Sequence, residues 1–131
     1  VKEEDTRTTG EAGRFDYGWF NGYFWTARME SQQQKTYFIL GLGEGIMLQQ
    51  REVYNKTQDP DMRNLIEKET LELVGSKYTL TDIIKNIDGF YKAKNNLKVP
   101  IVDAYIKALA DLAREEEKKK LKMLKELKKD R

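Results

Sequence analysis

The sequence predicts an all-α protein: a compact four- to five-helix bundle with a long, projecting C-terminal helix. Three observations carry this. Helix-start signals recur along the chain, at Ser31 with Gln34, at Asp59 before Pro60, at Thr79 with Asp82, and at Pro100. Apolar residues follow each signal at spacings of three and four, the period of a helix with one buried face. The stretch 114–120 (REEEKKK) then lacks any apolar residue yet still favours helix, because Glu115 and Glu116 each stand four residues before a lysine.

Taken in order, residues 1–13 (VKEEDTRTTGEAG) are polar and read as a flexible N-terminal arm. The character changes abruptly at 14–25 (RFDYGWFNGYFW), where seven aromatics are interrupted by Gly18, Asn21 and Gly22. This predicts a turn-rich entry segment leading into a short helix around residues 26–30. Ser31 and Gln34 form a capping-box pair, so a long helix is expected over about residues 32–53, with Phe38, Leu42, Ile46 and Val53 inward and Ile39 beside them.

Asp59 and Pro60 open the next helix, whose apolar side is Met62, Leu65, Ile66, Leu73 and Val74, and Gly75 stops it. In YTLTDIIKNIDGFY, residues 78–91, Thr79 caps a helix in which Leu80, Ile83, Ile84, Ile87 and Phe90/Tyr91 repeat at helical spacing. Residues 92–99 connect to Pro100, after which Ile101, Tyr105, Ala108, Leu109 and Leu112 face the core. The organisation is thus an arm (1–13), a helical domain (14–112) and a charged helical extension (113–131) that ends in a small strip of Leu121, Met123, Leu124 and Leu127.

The segment YFILGLGEGIMLQQ, residues 37–50, poses a choice between a phosphate-binding loop and a helix. A dinucleotide fingerprint needs glycine at position 46, where Ile46 stands, and a strand–helix context that is missing; no Gly-Lys-Ser/Thr ending is present either. In a helix, Gly41 and Gly45 share a face. Each costs about 1 kcal/mol in helix propensity, so close packing of a neighbour against that face is the expected compensation.

Composition narrows the chemistry. The 131 residues include no cysteine and no histidine, which excludes disulfides, thiolate zinc sites and serine–histidine or cysteine–histidine catalysis. No cofactor and no metal are expected. Asp59 would start an EF-hand loop only with Gly at position 64 and Glu at 70, where Asn64 and Thr70 stand, so it reads as a helix cap. The net charge of +2 gives no global reason to bind nucleic acid, although residues 113–131 hold nine basic and five acidic groups. No run of about 18 apolar residues occurs, so no transmembrane segment is expected. The opening Val1 in place of Met is what a processed or truncated chain would show.

The order of features is suggestive in itself: an aromatic entry, a helix with GLGEG, the YTLTDIIKNIDGFY helix, then NNLKVPIVDAYIKAL. Over roughly residues 19–112 this resembles small helical exported proteins of the Tai-type group, immunity proteins against type VI secretion amidase effectors, and related helical domains of unknown function. Gly41 and Gly45 match a Gly-x-x-x-Gly helix, Thr79 to Ile87 a Thr-led helix, and Pro100 to Leu109 a Pro-led final helix. The paired cysteines that many of those proteins carry are absent here. The resemblance implies a non-enzymatic, periplasmic or otherwise exported module that binds a protein partner.

Trp19, Tyr23 and Trp25 are the candidate partner-binding residues, since flat aromatic rings anchor interfaces at small entropic cost. Most of the aromatic segment is expected in the core, with Trp19 and Tyr23 on the surface. The leading functional expectation is a protein-binding helical module, immunity-like in type. One rival is a glycan or small-ligand binder or enzyme, using carboxylates such as Glu44, Asp82, Asp88 or Asp103 beside an aromatic platform. Another is a structural domain that self-associates, for example as a homodimer, through its final helix.

Overall fold

The first four helices each start where a side chain accepts from free backbone donors, while the last follows Pro100 with no side-chain cap. The computed structural model describes residues 20–130. Helix α1 spans Gly22–Ala27, α2 Gln32–Lys56, α3 Pro60–Leu73, α4 Leu80–Tyr91, and α5 Ile101–Lys129, with a short 3-10 turn at Lys94–Asn96. The Ser31–Gln34 capping box is formed in both directions: Gln34 N–H donates to Ser31 Oγ at 3.1 Å and Ser31 N–H to Gln34 Oε1 at 3.2 Å. Asp59 and Thr79 cap α3 and α4 through the amides of Asp61 and Asp82. The fold is all-α, with one isolated bridge, Asn21 to Pro100, as the only extended pairing among the described residues.

The entry segment departs from expectation. The short helix begins at Gly22, not near residue 26, because Asn21 is fully buried and its Oδ1 accepts from the amides of Tyr23 and Phe24 at 3.0 and 3.4 Å. Asn21 and Gly22, read as turn punctuation, are therefore a cap and the first helical residue, and Gly18 lies outside the described residues. Gly22 is needed there for space: a Cβ would lie 2.5 Å from Tyr91 Cδ1 and 2.8 Å from the Leu97 backbone.

Gly75 ends α3 with φ of +67°, the left-handed conformation that glycine adopts at least cost. Its amide donates to Glu72 O and that of Ser76 to Leu71 O, closing a Schellman motif. The Tyr105 hydroxyl donates to Leu73 O at 2.7 Å and ties the same helix end to α5.

One core is assembled, from Trp25 and Met29 after the aromatic entry, Ile39 of α2, Ile83, Ile84, Ile87 and Tyr91 of α4, and Ile101, Ala104, Tyr105, Ala108 and Leu109 of α5. Burial of each large aliphatic side chain stabilises by about 1.5–3 kcal/mol, so α4 and the first half of α5 carry most of the stability. The expected inward face of α3 is thinner than its sequence suggests. Ile66 is buried, while Met62 and Leu65 are exposed, as is Val53 at the end of α2. Beyond Leu112, α5 runs on with every described residue from 117 to 130 exposed, so its second half projects from the bundle.

Candidate protein-docking face

Tyr23 and Trp25, two of the aromatic site candidates, stand in different surroundings, and Trp19 lies outside the described residues. Tyr23 is half-buried. Trp25 is fully enclosed, which corrects its assignment as a partner-binding residue. Its indole N–H donates to Asp88 Oδ1 at 2.7 Å, and the same oxygen accepts from Lys35 Nζ at 2.8 Å. Lys35 also stands 5.2 Å from the centre of the Trp25 ring. This triad locks α1, α2 and α4 together, and it engages Asp88 in a structural role. Beside it Phe20 meets Phe24 and Phe38 edge-on, and Phe24 and Phe38 are tilted against each other, with centroids 4.9 to 6.0 Å apart.

The second correction concerns Gly41 and Gly45. Both are mid-helix, and no phosphate-binding loop exists in this stretch. A Cβ on either would meet nothing within 4 Å, so the expected close packing is not made among the described residues. Close approach to glycine occurs at Gly22 and Gly75 instead.

The exposed side of α2 nevertheless has a distinct character. At helical spacing, Tyr37, Leu40, Gly41, Glu44, Met47 and Leu48 share one face, opposite buried Ile39. Tyr37 and Leu48 keep 63% and 65% of their surface in water. This face continues into an open groove of about 450 Å³ between α2 and α3, floored by Ile66 and walled by Met47, Tyr54 and Leu71. Gln50 Nε2 reaches Thr70 Oγ1 at 3.3 Å across it, and Arg51 and Glu67 stand at its rim. Arg63 covers the Tyr54 ring at 4.6 Å and holds the Thr57 carbonyl, fixing the hairpin turn. The inward stripe expected for α2, Phe38, Leu42, Ile46 and Val53, leaves out Leu40, Met47 and Leu48. The available signal was the surplus of apolar residues beyond what one helix face can bury.

The candidate carboxylates are not gathered. Glu44, Asp82 and Asp103 are exposed on α2, α4 and α5 respectively. A larger open cleft of about 910 Å³ runs along the α4–α5 junction and is lined by Asp82, Asp111, Glu115 and Glu116, but Lys77, Lys85, Lys107 and Lys119 stand among them. Lys107 pairs with Asp111 at 2.6 Å and Arg114 with the same carboxylate at 3.4 Å. Opposite charges cancel along this cleft, so it has no net field for a charged ligand. Among the described residues no cluster of potential ligands could hold a metal ion, and no helix is long and apolar enough to cross a membrane. Compared with protein-family models, curated proteins and solved structures, the chain matches none.

Proposed function

We propose that this chain is a non-enzymatic protein-binding module whose docking face is the exposed side of α2 with the α2–α3 groove. The observation that supports it most is the row Leu40, Met47, Leu48 and Leu71, exposed together on a chain whose core is already complete without them. Exposed apolar patches of this kind mark interaction surfaces more often than scattered single residues do. The open glycines add shape. A ridge from an apolar helix of the partner can lie against the backbone at Gly41 and Gly45 and place its side chains between Leu40 and Leu48. On the immunity-type reading, the partner is a secreted effector and inhibition is by occlusion, with no chemistry supplied by this chain.

The test is site-specific photo-crosslinking in the native source, with the reactive residue at position 48 and, as a control, at position 123. A partner crosslinked from position 48, whose affinity for the purified chain falls about tenfold or more in Leu40→Glu and Leu48→Glu, supports the reading. Tyr23→Ala is included to measure what the aromatic entry adds. A captured partner whose affinity is unchanged by both leucine substitutions removes the α2 face from consideration.

A further inference from the structure

The projecting half of α5 carries a pattern that neither the core nor the α2 face uses. On the side of α5 away from the core, Val102, Ile106, Ala110 and Ala113 are exposed in a line. The line continues through Glu117 and Lys120 to Leu121, Leu124 and Leu127, the three leucines 54–61% exposed. The stripe thus holds the small Ala110 and Ala113 on one side of the charged block and three leucines on the other. Between them, Glu115, Glu116 and Glu117 are followed directly by Lys118, Lys119 and Lys120.

We infer that two copies of this chain pair antiparallel along α5, about a two-fold axis between Glu117 and Lys118. Reversing the helix about that point brings the acidic block 115–117 level with the basic block 118–120 of the second copy, and Glu117 and Lys120, the two charged residues on the exposed stripe, face each other across the contact. The same register brings Leu121 and Leu124 level with residues 114 and 111 of the other copy, beside the exposed Ala113 and Ala110. Large side chains then meet small ones, the arrangement that interdigitating helices favour. The receiving surface is concave: Leu71, Tyr78, Ile106, Leu109, Ala110 and Ala113 line a hollow of about 280 Å³ at the α3–α5 junction. Each copy supplies one hollow and one leucine strip.

A parallel pair is disfavoured by the same charges, because Glu117 would face Glu117 and Lys120 would face Lys120. The tail cannot fill its own hollow, since α5 is one unbroken helix from Ile101 to Lys129. Overlap of residues 106–129 in both copies makes a contact roughly 36 Å long. The interface is isologous and closes at two subunits. It leaves Leu40 and Leu48 of α2 uncovered and shares only Leu71 with the docking face above, so Leu48→Glu and Leu124→Glu tell the two apart.

Light scattering on the full chain decides the stoichiometry, with twice the 15.4 kDa chain mass expected. Leu124→Glu changes an exposed residue and should weaken the dimer about tenfold or more with helix content unchanged. Glu115, Glu116 and Glu117 all changed to Lys should dissociate it, and adding Lys118, Lys119 and Lys120 all changed to Glu in the same chain should restore it. Orientation is read from engineered thiols, since no cysteine is present in the described chain to interfere. Ala110→Cys mixed with Leu124→Cys should give a disulfide between the two proteins, and Ala110→Cys alone should not. A monomer at all concentrations, a dimer broken by Leu48→Glu and not by Leu124→Glu, or rapid disulfide formation by Ala110→Cys alone each overturns the inference.

Discussion

Helices α4 and α2 use their apolar residues in opposite ways. In α4, twelve residues bury Ile83, Ile84, Ile87 and Tyr91 on one face. In α2, twenty-five residues fully bury only Ile39; Phe38, Leu42 and Ile46 pack partly, and Tyr37, Leu40, Met47, Leu48 and Val53 are exposed. The short helix is held by packing, as short helices must be. The long one is held at its start by a reciprocal cap and by a narrow contact, and it offers the rest of its surface outward. A helix more apolar than its burial requires is a helix with a second surface to cover.

The largest test of this contrast is truncation. Trp25→Ala should cost about 3–5 kcal/mol and Ile84→Ala about 2–5 kcal/mol, read as a fall in the urea midpoint, because each leaves a cavity in a fully enclosed site. Leu48→Ala should cost less than about 0.5 kcal/mol. A Leu48 penalty matching that of Ile84 would mean that α2 is packed on both sides, and the contrast would be lost.

Glycine substitutions sharpen the comparison by their sign. Gly22→Ala forces a Cβ into Tyr91 and the Leu97 backbone and should destabilise by about 1–3 kcal/mol. Gly41→Ala and Gly45→Ala meet open space in a helix interior and should each stabilise by up to about 1 kcal/mol. Thermal melts of the three variants check all of this together. A destabilised Gly41→Ala would place a neighbour against α2.

The smallest effect is a pH dependence of the α4–α5 half. Burial raises Tyr91 well above the ordinary tyrosine value of 10.0, the charge of Asp103 adding to it, and burial likewise raises Tyr105. The Tyr91 hydroxyl donates to Val99 O at 2.7 Å, and both phenols are protonated donors in the fold. Their contribution is therefore complete below the unfolded tyrosine pKa and is lost as pH rises beyond it. Stability should fall above about pH 10, by at most about 1.4 kcal/mol per pH unit for each tyrosine. Urea titrations on either side of that pH should show the slope reduced in Tyr91→Phe and Tyr105→Phe. An unchanged slope would assign the alkaline loss to other groups.

Local signals were sufficient where the physics is local. The Ser31–Gln34 box, the Asp59–Pro60 start, the Thr79 cap and the Gly75 stop were all legible, since each acts within a few residues. Asn21 was misread as turn punctuation because its capping role depends on burial against the start of α5, where Ile101 N–H also donates to Phe20 O at 2.8 Å. The docking face was illegible for a related reason. Period alone gives α2 a helical form, but with apolar residues all around it, the inward side is chosen by whichever neighbour arrives.

What the sequence determined by itself was an all-α chain of four to five helices, the start signals of α2 to α5 and the exclusion of histidine and cysteine chemistry, because caps, turns and residue types operate without reference to distant chain. What only the tertiary structure decided was which small residues are crowded and which rings are enclosed. Gly22 lies under Tyr91 and Gly41 under nothing among the described residues, and Trp25 is sealed between Lys35 and Asp88. Those outcomes depend on segments tens of residues apart meeting in space, and no spacing along the chain encodes that meeting.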